Sequence, residues 1–102
     1  MSIEQDHRIS LAEASQFTAN FRNANPPGTI IANALSKGII QEILNQPGCE
    51  GIRIYNAIDG GGIATVVITG IDINNNDLYT GTLAEHCNRC PTDCPSPNPL
   101  NS

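Results

Sequence analysis

Leu11, Ala14, Phe17 and Phe21 recur at the spacing of one helix face, because side chains three and four residues apart lie above one another on a 3.6-residue turn. Just before them, Ser10-Leu11-Ala12-Glu13 forms a capping box, with a hydroxyl for the Glu13 amide and a carboxylate that reaches back to residue 10. Together they predict a first helix of about three turns. Asn25-Pro26-Pro27-Gly28 ends it, since proline brings no amide hydrogen to the ladder and glycine permits a turn. Ile39, Ile40, Ile43 and Leu44 make the apolar face of a second helix over residues 37–45, with Ser36 as its N-cap and Pro47-Gly48 as its stop. Residues 29–35 are read as a backward extension, one long helix from Thr29 with Gly38 inside it, at a cost of about 1 kcal/mol relative to alanine. A separate extended segment is the other reading of this stretch.

From Gly51 the period changes from helical to two. Ile52, Ile54 and Ile58 alternate with Arg53, Tyr55 and Ala57, the pattern of a strand with one buried face. Asp59-Gly60-Gly61-Gly62 suits a tight hairpin. Residues 63–73 are nearly all β-branched or apolar and predict a buried central strand. Asn74-Asn75-Asn76-Asp77 is the next turn, and residues 78–83 a short third strand. After Ala84, Pro91, Pro95, Pro97 and Pro99 interrupt any regular element. The expected fold is therefore α+β: two N-terminal helices packed on a three-stranded antiparallel meander (residues 1–84), followed by an irregular Cys/Pro-rich C-terminal tail (85–102).

At 102 residues the chain has the length of one small domain. Its five Lys and Arg against ten Asp and Glu, net charge −5, argue against nucleic acid as a partner, because phosphates need clustered cations. Lys37, Arg8, Arg22, Arg53 and Arg89 are scattered. No apolar run approaches the roughly 18 residues of a membrane span. Residues 1–8 are polar and do not resemble a signal peptide. The expected location is cytoplasmic, with export by a route needing no such signal as the alternative. In the cytosol thiols stay reduced, which turns attention to metal binding.

The most chemically specific feature is His86-Cys87-Asn88-Arg89-Cys90-Pro91-Thr92-Asp93-Cys94-Pro95. Cys-x2-Cys spacing lets two thiolates from one turn meet a single zinc ion. Cys94 or His86 would supply a third ligand and Cys49 a fourth. The same spacing matches the end of a bacterial ferredoxin run, but Ala84 stands where a further cysteine is needed. Against the metal reading stand plain tail thiols or disulfides, and a buried structural thiol for Cys49. Asp72-Ile73-Asn74-Asn75-Asn76 begins like a calcium loop. Asp77 then replaces the glycine, and Leu83 the bidentate glutamate, so a hairpin turn is the better reading. For acyl transfer, Cys87 and His86 are adjacent and point apart on an extended chain. No catalytic residues are expected.

The segment QPGCEGIRIY (46–55), followed by the glycine turn, the aliphatic strand and a Cys-Pro C-terminus, resembles a family of small uncharacterised bacterial proteins. Its members have a leading Ser-Leu-x-Glu helix, a Gln-Pro-Gly-Cys junction and a short Cys-Pro-Pro-x-Cys-like ending. The resemblance spans most of the chain and implies no activity. This sequence departs from it in carrying three spaced cysteines at the end.

Charged residues make up 15% of the chain, well below the roughly 25% of ordinary domains. A thinly charged surface resists association poorly. Residues 63–69 have high β-propensity and neither charge nor proline, so they must be covered. The third strand's Thr80-Gly81-Thr82 offers an edge without a blocking lysine, and the second helix is apolar over more than one stripe. The expected function is that of a non-enzymatic, self-associating structural or interaction protein, a homo-oligomer with contacts through a sheet edge, the second helix and the tail. The alternatives are a small zinc-binding or redox module using Cys87, Cys90 and Cys94, and cysteine cross-links between subunits.

Overall fold

The computed structural model describes residues 6–102, and the chain divides into two compact units. One contains residues 34–87, the other residues 6–33 together with 88–102.

The first unit begins with a helix, here called α2, over Lys37–Leu44. Ser36 is extended and its hydroxyl accepts from the Ile39 amide at 3.4 Å, so the cap starts the helix where the sequence places it. Pro47 and Gly48 stop it, and Gly48 takes φ +79°, a conformation glycine adopts without strain. Strands β2 (Gly51–Ile58), β3 (Ala64–Ile71) and β4 (Leu83–Ala84) form an antiparallel sheet in the order β2-β3-β4. The register pairs Ile52 with Gly70, Ile54 with Ile68 and Ile58 with Ala64. At the hairpin the Asp59 carboxylate accepts from the amides of Gly61 (2.8 Å) and Ile63 (3.0 Å). Asp72 does the same for Asn74 and Asn76, at 2.9 Å each. Its carboxylate thus orders its own turn, as the hairpin reading expects.

The third strand differs from its expected 78–83. The Leu78 amide donates to the Gly70 carbonyl at 2.8 Å, but the chain then turns at 78–81 and only Leu83–Ala84 rejoin the sheet. The excursion makes room for the Gln46 side chain, whose Oε1 accepts from the Thr82 amide at 2.8 Å. The core of this unit is Ile43, Ile68 and Ala84, with Leu35, Ile39, Cys49 and Val66 packed against it. The fold is α+β, and within this unit α2 packs on β2 and β3.

In the second unit, α1 spans Leu11–Ala24, with the Ser10 hydroxyl accepting from the Glu13 amide at 3.1 Å. Residues 29–35 do not extend α2, and the reading of one long helix is corrected. Ala32–Ala34 is strand β1, paired with β5 at Asn88–Cys90. The Ile31 amide donates to the Cys90 carbonyl at 2.7 Å, and the extended Ser36 separates this strand from the helix. Thr29, Ile30 and Ile31 include β-branched residues that favour extended backbone. The stretch 85–102 is not wholly irregular. It contributes β5, a Cys90–Cys94 disulfide and a terminal turn in which Asn98 and Asn101 bond each other's backbone. Hydrogen bonds and one covalent link order it where apolar burial is scarce.

Candidate interaction surface

A face of the sheet is defined by the register, because cross-strand partners point to the same side. Ile52, Ile54 and Ile58 of β2 therefore share a face with Ile68, Val66 and Ala84, the face on which α2 sits. One helix is roughly 10 Å across and strands lie about 4.8 Å apart, so a single helix shields about two strands. The shielded part here contains Ile68, which is buried. The β2 row is not: exposure climbs from 37% at Ile52 to 56% at Ile54 and 75% at Ile58. The expectation that this isoleucine row is the buried face of the strand is corrected. The half-buried positions of β2 are Gly51, Arg53 and Ala57 on the other side.

The two edges of the sheet differ. At Thr80-Gly81-Thr82, expected as the open edge, Gln46 takes the Thr82 amide and the Thr82 hydroxyl donates to Glu42 Oε2 at 2.9 Å. Both groups of Thr82 are thus taken by side chains from α2 and the junction after it. β2 lies at the other edge and, among the described residues, has no strand beyond it.

On the opposite face of β2, Arg53 and Tyr55 converge on the turn that follows β3. The Arg53 guanidinium and the Tyr55 hydroxyl both donate to the Asp77 carboxylate, and Arg53 also donates to the Asn75 side chain. Asn75 has φ +68°, in the left-handed region that asparagine tolerates better than most residues. The Tyr55 hydroxyl, with Arg53 beside it, holds the Asp77 carboxyl below the usual carboxylate range. In return Asp77 pushes the Tyr55 hydroxyl up. Each charge is answered within the cluster, which ties β2 to the turn.

The cysteines take separate roles. Cys90 and Cys94 are joined to each other, so neither sulfur is a thiolate available to a metal in this state. The Cys87 thiol donates to the Glu85 carbonyl at 3.3 Å and the Cys49 thiol to the Gly51 carbonyl at 3.2 Å. The His86 ring is fully exposed, its Nδ1 3.3 Å from Glu85 Oε1. Among the described residues no three His, Cys, Asp or Glu side chains stand where one metal ion would reach them all. In the second unit, the disulfide, Pro26, Pro27 and Pro97 line an open groove of about 390 Å³. Its single ionisable side chain is Arg22, which donates to the Leu100 carbonyl at 2.6 Å.

Sequence reasoning missed Gln46 and the openness of β2. A polar residue between a helix end and Pro-Gly gives no local sign that it will bond a backbone amide 36 residues away. No helix among the described residues is long and apolar enough to cross a membrane. Compared with known proteins, the chain matches no family model, no curated protein and no solved structure.

Proposed function

We propose that this chain is a non-enzymatic, self-associating structural or interaction protein whose surface is completed by further copies of itself. The carrying observation is an imbalance of apolar residues. Among the described residues, five hydrophobic ones are buried while fourteen large ones are exposed, including Ile52, Ile54 and Ile58 on β2 and Leu11, Phe17 and Phe21 on α1. Scattered exposed apolar residues are ordinary, but rows of them on one strand and one helix mark contact surfaces. The α1 row extends the reading beyond the second helix, whose Ile43 is already used in the core. Among the described residues, the groove beside the disulfide presents no nucleophile next to a base, and the Arg53–Tyr55–Asp77 cluster is internally satisfied. The Cys90–Cys94 bond favours oxidising surroundings; in a reducing cytosol the pair opens and the thiols become available to zinc. Light scattering on the full chain at about tens of micromolar tests the central claim, in the range where weak assemblies populate. A dimer or higher multiple is expected, and the mass of a single chain overturns it.

A further inference from the structure

We propose that β2 is the strand through which two copies of this chain join, antiparallel, about a two-fold axis at Tyr55. The inference rests on the self-associating reading and names its contact. The Asp59 amide donates to the Ile63 carbonyl at 2.9 Å, at the end of a register that continues unbroken from Ile58–Ala64 to Gly51–Ile71. Hydrogen-bonded pairs alternate along an antiparallel ladder, so Arg53, Tyr55 and Ala57 exchange bonds with β3. The amides and carbonyls of Ile52, Ile54, Asn56 and Ile58 then face away from β3, where no strand of the described residues receives them. Unpaired backbone of this kind is completed by another extended strand.

Nothing on β2 blocks that pairing. The strand holds no proline and no lysine. Its one charge, Arg53, is held by Asp77, so the seam is close to neutral although each chain carries −5. A second copy fits better than an arbitrary strand because β2 is complementary to itself. With Tyr55 on the axis, Ile52 lies opposite the second copy's Ile58, Ile54 opposite its Asn56, and Arg53 opposite its Ala57. No cation faces a cation. Sliding the register by two residues sets Glu50 against Ile58 in one direction and leaves Ile52 facing the turn glycine Gly60 in the other. The product is a six-stranded sheet, β4-β3-β2-β2-β3-β4. In it the exposed isoleucines of both copies meet side by side on the α2 faces.

Two edge variants and one cross-link test this in the full chain. Asn56→Pro deletes an outward amide and leaves the β3 ladder alone. Ile54→Lys adds a charge at a position already more than half exposed and covers the case in which proline disturbs folding. Each is expected to weaken dimerisation roughly tenfold or more by sedimentation, with an unchanged circular dichroism spectrum. Tyr55→Cys places two sulfurs across the axis at a non-hydrogen-bonded pair, where Cα atoms are about 4.5 Å apart and disulfide geometry is met. Mild oxidation is expected to trap it as a covalent dimer far more than wild type or a Tyr79→Cys control. Dimers that survive both edge variants and give no Tyr55→Cys trap overturn the β2 seam and leave self-association standing. A wild type with the mass of one chain overturns both and leaves β2 to the strand of a different protein.

Discussion

Gln46 fastens the end of α2 to the returning chain. Its Nε2 donates to the Ile43 carbonyl at 2.9 Å while its Oε1 accepts from the Thr82 amide. Space for it exists because two neighbours are glycine. A methyl at Gly81 would lie 1.9 Å from Gln46 Oε1, and one at Gly70 would lie 2.9 Å from Cys49 Sγ. Gly70→Ala is expected to cost about 1–3 kcal/mol in urea denaturation, since Gln46 Nε2 at 3.2 Å and Leu78 Cδ1 at 3.3 Å crowd the added methyl together with Cys49. Gly81→Ala should cost less, on the order of 1 kcal/mol, because the amide can swing away at the loss of one hydrogen bond. The Gln-Pro-Gly-Cys junction thus has a structural job at each position. At Asp77 the carboxyl is held low by Tyr55 and Arg53, so its contribution to stability is full above about pH 3.9, the unfolded value. It is lost as the pH falls through that value and the lower folded one. Asp77→Asn should flatten this acid limb, read as denaturation midpoints between about pH 2 and 6.

Among the elements, what was legible in the sequence is what is local. Ser10 and Ser36 cap their helices as expected because a cap is decided within four residues. Ser36→Ala should therefore lower stability by about 0.5–2 kcal/mol in a thermal or urea melt. The β2–β3 hairpin was legible too, through the period-two pattern and its glycine turn. Which side of β2 is covered was not, since that depends on where a helix comes to rest over a three-stranded sheet. Residues 29–35 misled for a similar reason. Their apolar residues suit either helix or strand, and the decision rests with the Cys90 carbonyl, 59 residues beyond Ile31. At the candidate surface, the alternation revealed the isoleucines themselves and the absence of charge, but not that the Gln46 side chain takes the Thr82 amide.

For the whole molecule, the two units are ordered by different means. Residues 34–87 rest on a sheet and a small apolar core, whereas β5 and the chain after it depend on a disulfide and side-chain-to-backbone bonds. Reductant should accordingly raise protease cleavage within 88–102 while the 51–84 segment keeps its resistance, as followed by mass spectrometry of timed digests. Cleavage in both stretches at equal rates would contradict this division. The central position of β3 has a bearing on how the chain is made. Its residues 64–69 belong to the uncharged, proline-free run of high β-propensity, yet β2 precedes them and waits only one short turn away. During synthesis the ribosome thus releases the sticky segment beside a ready template. Hairpin closure takes microseconds where elongation takes a sizeable fraction of a second, so this stretch is zipped before a stray neighbour can reach it.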